Sequence, residues 1–151
     1  MPVIDADYAV MTGNVAQHIS DGDWQRTLAD LHHALRAGGT LAFESRNPAA
    51  GAWRTWSSSE RSVRETASGP LEEWLEAKET APGVVRLVAH NAFVGTGELL
   101  TYTEDLFFRE LSELGDQLDV AGFDLTSVYG DWQRGPVTDS SEVMVLVATA
   151  R

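Results

Sequence analysis

Tyr8-Ala9-Val10-Met11 is apolar without alternation, with Asp5 and Asp7 before it and Gly13-Asn14 after it. A short continuous run bounded in this way predicts a strand covered on both faces. Ser20-Asp21-Gly22-Asp23 then offers N-cap residues. Trp24, Leu28, Leu31 and Leu35 recur at helical spacing, so a helix is expected to run from there to Gly38-Gly39. Thr40 to Glu44 reads as the next strand. Two short apolar strands joined by one helix predict a right-handed crossover in a parallel sheet, hence an α/β fold.

The texture then changes. Arg46 to Pro70 is rich in Ser, Ala and Gly and reads as a loop with a short helix. Glu73 to Thr80, Val84 to Val94 and Leu99 to Phe108 read as three strands, joined by Ala81-Pro82-Gly83 and Gly95-Thr96-Gly97. They predict an antiparallel β-meander inserted over residues 71–109 of a single 1–151 domain. Helical spacing returns through Leu111, Leu114 and Leu118 up to Gly122. Phe123 to Tyr129 and Val143 to Thr149 are the last strands.

Composition narrows the function classes. The chain of 151 residues carries 11 basic and 23 acidic side chains, a formal charge of -12. Such a surface repels phosphate backbones, so no nucleic-acid partner is expected. No apolar run reaches the roughly 18–20 residues needed to cross a bilayer, so no membrane partner is expected either. With no cysteine, thiolate chemistry is excluded. The four histidines show no metal-ligand spacing. A basic n-region is absent, and a cytoplasmic location is the default expectation.

Read in order, four segments resemble the second half of the class I S-adenosylmethionine-dependent methyltransferases. "DYAVMTGNVAQHI" resembles that family's fourth strand and the loop after it. "LHHALRAGGTLAFESRNP" resembles its next helix, glycine turn and fifth strand. "LFFRELSELGDQLDVAGFDLTSVYGDW" resembles the last helix and sixth strand, and "SSEVMVLVATAR" the seventh. The resemblance implies a partial Rossmann-like sheet equivalent to strands 4–7, with the meander as lid or wall of an acceptor pocket. It implies a methyltransferase acting on a small molecule, with S-adenosylmethionine as cofactor. No GxGxG-like element precedes the first strand, so weak cofactor binding by this chain alone is expected. A strand equivalent to the fourth, lacking its usual neighbour, would be an apolar edge, and a homo-oligomer through that edge is expected. The alternative reading is a non-catalytic ligand-binding or assembly module.

In open α/β sheets, ligands bind at the carboxyl ends of the strands. By resemblance, Thr12, Gly13 and Asn14 line the cofactor, although Gly-Asn is also ordinary turn chemistry. His18, Arg46 and Asn47 are candidate acceptor-binding residues, with Trp53 and Tyr102 as an apolar wall. For each there is a plainer alternative: a solvated histidine, a rim ion pair, aromatic core. His32, His33 and His90 read as surface or strand positions. No residue is assigned a catalytic role from sequence.

Overall fold

The computed structural model describes residues 4–58 and 60–151. In chain order the elements are β1 (Ala6–Met11), α1 (Asp21–Ala34), β2 (Leu35–Arg46), β3 (Ser62–Thr66), β4 (Gly69–Ala81), β5 (Val84–Phe93), β6 (Glu98–Phe107), α2 (Leu111–Val120), β7 (Phe123–Tyr129) and β8 (Val143–Ala150). Short 3₁₀ turns cover Val15–His18, Pro48–Ala50 and Ala52–Thr55. The chain divides into two compact units, Met1–Ala50 with Phe107–Arg151, and Gly51–Leu106. The strands form two four-stranded sheets, β1-β2-β8-β7 and β3-β4-β5-β6. This is an α/β chain with a partial Rossmann-like sheet and an inserted antiparallel sheet.

In the first unit β1 and β2 are parallel, joined through α1 as the hydrophobic pattern predicts. Ser20 caps α1: its hydroxyl oxygen accepts from the Asp23 amide at 3.3 Å, and Asp21 and Asp23 complement the positive helix end. The helix stops at Ala34, earlier than the expected Gly38-Gly39. Leu35 is already extended and pairs with Ala6, after which the register slips so that Tyr8 faces Thr40. The two glycines therefore shape an irregularity in β2 and do not cap the helix. A β-carbon on Gly39 would lie 2.9 Å from the Arg36 carbonyl oxygen and 3.1 Å from that of Ala6, so β1 can pass closely only over glycine.

β8 runs antiparallel to both of its neighbours, β2 and β7. Leu41 and Phe43 of β2, Leu146 and Ala148 of β8, and Phe123 of β7 form the core with Trp24 and Leu28 of α1 and Leu114 and Leu118 of α2. Trp24 is fully buried, meets Phe43 edge-on at 5.6 Å, and donates its indole N–H to Gln117 Oε1 of α2 at 2.7 Å. His32 is not a free surface residue: its ring packs edge-on against Phe123 at 5.2 Å, whereas His33 is exposed. On the opposite face of β1, Tyr8 and Val10 are 74% and 58% exposed. Among the described residues β1 pairs with β2 alone and is the sheet edge.

The second unit holds four strands where three were expected. β3 falls within the stretch read as loop, because Ser62–Thr66 is exposed almost throughout and shows no apolar face. Charge pairs stand in for apolar ones. Arg64 forms a two-pronged contact with Glu73 of β4, and Arg86 of β5 does so with Asp105 of β6. Hydrogen bonds from these arginines hold the Glu73 and Asp105 carboxyls below the usual range. Their contribution is present at neutral pH and fades on acidification through those lowered values, and at the surface it is small. His90 stacks on Trp74 at 4.7 Å and bridges Glu76 and Thr101.

Gln117→Leu is expected to leave the buried Trp24 N–H without an acceptor and to lower stability by about 1–3 kcal/mol in urea titration followed by circular dichroism. Gln117→Glu, which keeps an acceptor oxygen, is expected to lose less than half as much.

Candidate functional site

Because β1 and β2 are parallel neighbours, their carboxyl ends lie side by side. Gly13 (φ 71°) and Asn14 (φ 58°) are both left-handed and turn the chain sharply after Met11. A β-carbon on Gly13 would meet nothing within 4 Å, so conformation and not crowding selects glycine there. Asparagine tolerates the same region better than most residues.

This turn is tied to β2 through Glu44. The Asn14 amide donates to Glu44 Oε1 at 2.8 Å, and the indole N–H of Trp132 donates to Glu44 Oε2. Glu44 is only 8% exposed, and both partners are neutral. A buried carboxylate without these donors would be costly, and with them it becomes a clamp across three segments. Trp132 extends the arrangement to the face of the sheet away from the helices. There Ala42, Val145 and Val147 form the floor of a pocket of about 230 Å³, with Tyr129 and Trp132 in its wall.

Among the described residues, three oxygens around these strand ends are buried without a hydrogen-bond partner: Asn14 Oδ1, Gln17 Oε1 and Ser45 Oγ. Such atoms are uncommon in folded proteins and are where a bound molecule or water donates.

After the turn, the 3₁₀ segment Val15–His18 leads into α1, with His18 exposed at its end. It rests on Arg109, which lies just before α2 and is 2% exposed. Arg109 donates to the carbonyl oxygens of Ala16 (3.0 Å) and Ile19 (2.6 Å) and pairs with Asp21 at 2.8 Å. Its guanidinium carbon lies 4.8 Å from the Trp24 ring centroid.

Arg46, half-buried, is two residues beyond Glu44 on the same strand face. Asn47 is buried and its amide is engaged with the chain: Nδ2 donates to the Thr138 and Ser141 carbonyls, and Oδ1 accepts from the Ala49 amide. Thr12, Gly13, Asn14, His18, Arg46 and Asn47 therefore all belong to the carboxyl-end region of one unit. Trp53 and Tyr102 belong to the second. Trp53 is buried there with the Arg54 guanidinium 5.4 Å from its ring, and Tyr102 is 61% exposed on β6. That unit also has a hollow of about 430 Å³ lined by Ser58, Ser62, Leu75 and Asn91 beside the Trp74–His90 stack. Among the described residues no group of side chains is arranged to hold a metal ion, and no helix is long and apolar enough to cross a membrane.

In the sequence Glu44 is only the last residue of an expected strand, and neither Arg109 nor Trp132 stands out. A lone glutamate ending the run Leu41-Ala42-Phe43 was a usable signal, since charge inside an apolar strand needs partners. Arg109 carried a weaker one, directly after Phe107-Phe108. Trp132 carried none, because its partner is distant in sequence.

No protein-family model matches the sequence, and no curated protein matches it. Solved structures do match by shape. The CcbJ methyltransferase from Streptomyces caelestis aligns over 95% of this chain and 59% of its own, with a TM-score of 0.70 and 20% identity. An S-adenosylmethionine-dependent methyltransferase from Clostridium acetobutylicum aligns over 95% and 58%, with a TM-score of 0.75 and 9% identity. CalS10 from Micromonospora echinaspora, an amino pentose methyltransferase solved with S-adenosylmethionine bound, aligns over 96% and 58%, with a TM-score of 0.63 and 13% identity. At these identities the likeness is one of fold, and it covers less than two thirds of each solved chain. Across nearly its whole length, this chain has the fold of S-adenosylmethionine-dependent methyltransferases.

Proposed function

We propose that the chain carries the acceptor-side portion of an S-adenosylmethionine-dependent methyltransferase for a small molecule. The observation that carries the reading is the sheet order: parallel β1 and β2, with an antiparallel β8 between β2 and β7, in a fold shared with such enzymes. The strand ends supply the chemistry. Thr12, Gly13 and Asn14 would line the cofactor beneath its sulfonium, which when bound supplies an electrophilic methyl group. Methyl transfer asks mainly for alignment of the acceptor and exclusion of water. A nucleophile that carries a proton must also lose it, and His18 would accept it. Arg46 offers a positive contact to the acceptor. The substrate named for CalS10 makes an amino sugar the first acceptor to test.

The reading is tested by nuclear magnetic resonance with S-adenosylhomocysteine as the probe. Weak binding is expected, shifting the amides of Thr12, Gly13 and Asn14 and leaving those of β4 and β5 in place. Unmoved signals across the turn at saturating probe would overturn it.

Glu44→Gln places an amide where a carboxylate accepts from two N–H groups, so one donor loses its partner. A stability loss of about 1–3 kcal/mol is expected, together with smaller probe-induced shifts at Asn14. Full shifts in the variant would show that the turn does not depend on this clamp.

Self-association along the free β1 edge belongs to the same reading. Sedimentation velocity is expected to show a concentration-dependent dimer that Val10→Lys weakens without lowering the melting temperature. A monomer at every concentration would remove this part.

A further inference from the structure

We infer that Arg109 is a positioning residue that fixes the 16–20 turn and thereby the direction in which His18 points. The inference rests on the proposed role of His18 beside the acceptor, and it concerns what holds that residue in place.

The turn has little stability of its own. Its 3₁₀ geometry is inherently weak, and Asn14 makes no side-chain cap to it. The Gln17 amide reaches the Asn14 carbonyl at 3.1 Å, and the Ile19 amide reaches the Ala16 carbonyl only at 3.4 Å. The stronger contacts come from Arg109. Nη1 holds the Ala16 carbonyl, Nη2 holds the Ile19 carbonyl, and Nε and Nη2 both reach Asp21 Oδ1. His18 lies between the two held carbonyls, so its backbone is pinned on both sides.

The guanidinium is itself held. The ring centroids of Trp24 and Phe107 lie 4.8 and 5.5 Å from its central carbon. A planar fork constrained by two rings can satisfy divergent acceptors at fixed angles, whereas a lysine ammonium cannot reproduce that geometry. The partners are also asymmetric: Asp21 is largely exposed, while Arg109 is buried. A pair serving stability alone gains little from burying only its cation. The arrangement instead spans the backbone from Ala16 to Asp21, the stretch that presents His18.

The test uses the full chain, ¹⁵N-labelled, with Arg109→Lys and Arg109→Met, and with His18→Gln to assign the His18 ring signal. In both Arg109 variants, amide exchange at Gln17, His18, Ile19 and Ser20 is expected to rise ~10-fold or more, as loss of one or two hydrogen bonds implies. The His18 ring signal is expected to move toward its value in a flexible peptide. Amides of Leu28, Leu114 and Leu146 should keep their protection. Millimolar methylguanidinium added to Arg109→Ala should restore the His18 signal at least partly. An unchanged turn in both variants overturns the inference, and so does protection lost in parallel throughout the core, which marks a general stabiliser. The S-adenosylhomocysteine titration of the wild-type chain does not involve Arg109, so the functional reading can fail separately from this one.

Discussion

The first unit depends on the burial of one indole. Trp24 enters the core from the opening turn of α1, meets Phe43 of β2, bonds to Gln117 of α2 and lies against Arg109. A large aromatic with a polar edge can do this only where an acceptor reaches its N–H, and Gln117 supplies one. The two helices, far apart in sequence, are thereby fixed over the same patch of sheet.

On this apolar frame stand two buried charges of opposite sign. Glu44 draws the turn after β1 toward β2 and the Trp132 loop, and Arg109 holds the next turn from beneath. Each is desolvated, which opposes folding unless its hydrogen bonds are well made. Glu44 accepts from two neutral N–H groups, and Arg109 divides its hydrogen bonds between two backbone carbonyls and the Asp21 carboxylate, so both order chain segments. Irregular backbone at the strand ends has no ladder of its own, and these two side chains supply what the ladder would.

Much of this was legible in the sequence. Apolar runs located β1, β2, β7 and β8, and helical spacing located α1 and α2, because each of these buries one stripe or two faces in a common core. The meander was legible through its glycine turns. β3 was not, since an exposed strand held by Arg64 and Arg61 to glutamates leaves no hydrophobic period to read. The end of α1 was misplaced for a related reason: a double glycine signals a cap or a close approach equally well, and only the pairing of Leu35 with Ala6 decides. The turn Thr12-Gly13-Asn14 at the end of β1 was legible from strand-end position alone. What could not be placed were contacts that close across the chain, Asn14 and Trp132 with Glu44, and Arg109 with Ala16, Ile19 and Asp21.

The central position of β8 carries a consequence for how the protein is made. Phe43 pairs with Leu146, and Leu41 with Ala148, so β2 waits beside an empty lane while the meander, α2 and β7 are synthesised. Antiparallel contacts closed over such a span are slow, and until they form the apolar strand is open to wrong partners. The meander closes through local hairpins and need not wait. Synthesis therefore delivers an early-ordered insertion ahead of a late-ordered sheet, and a chaperone that shields β2 in the interval would act on yield without touching the finished fold.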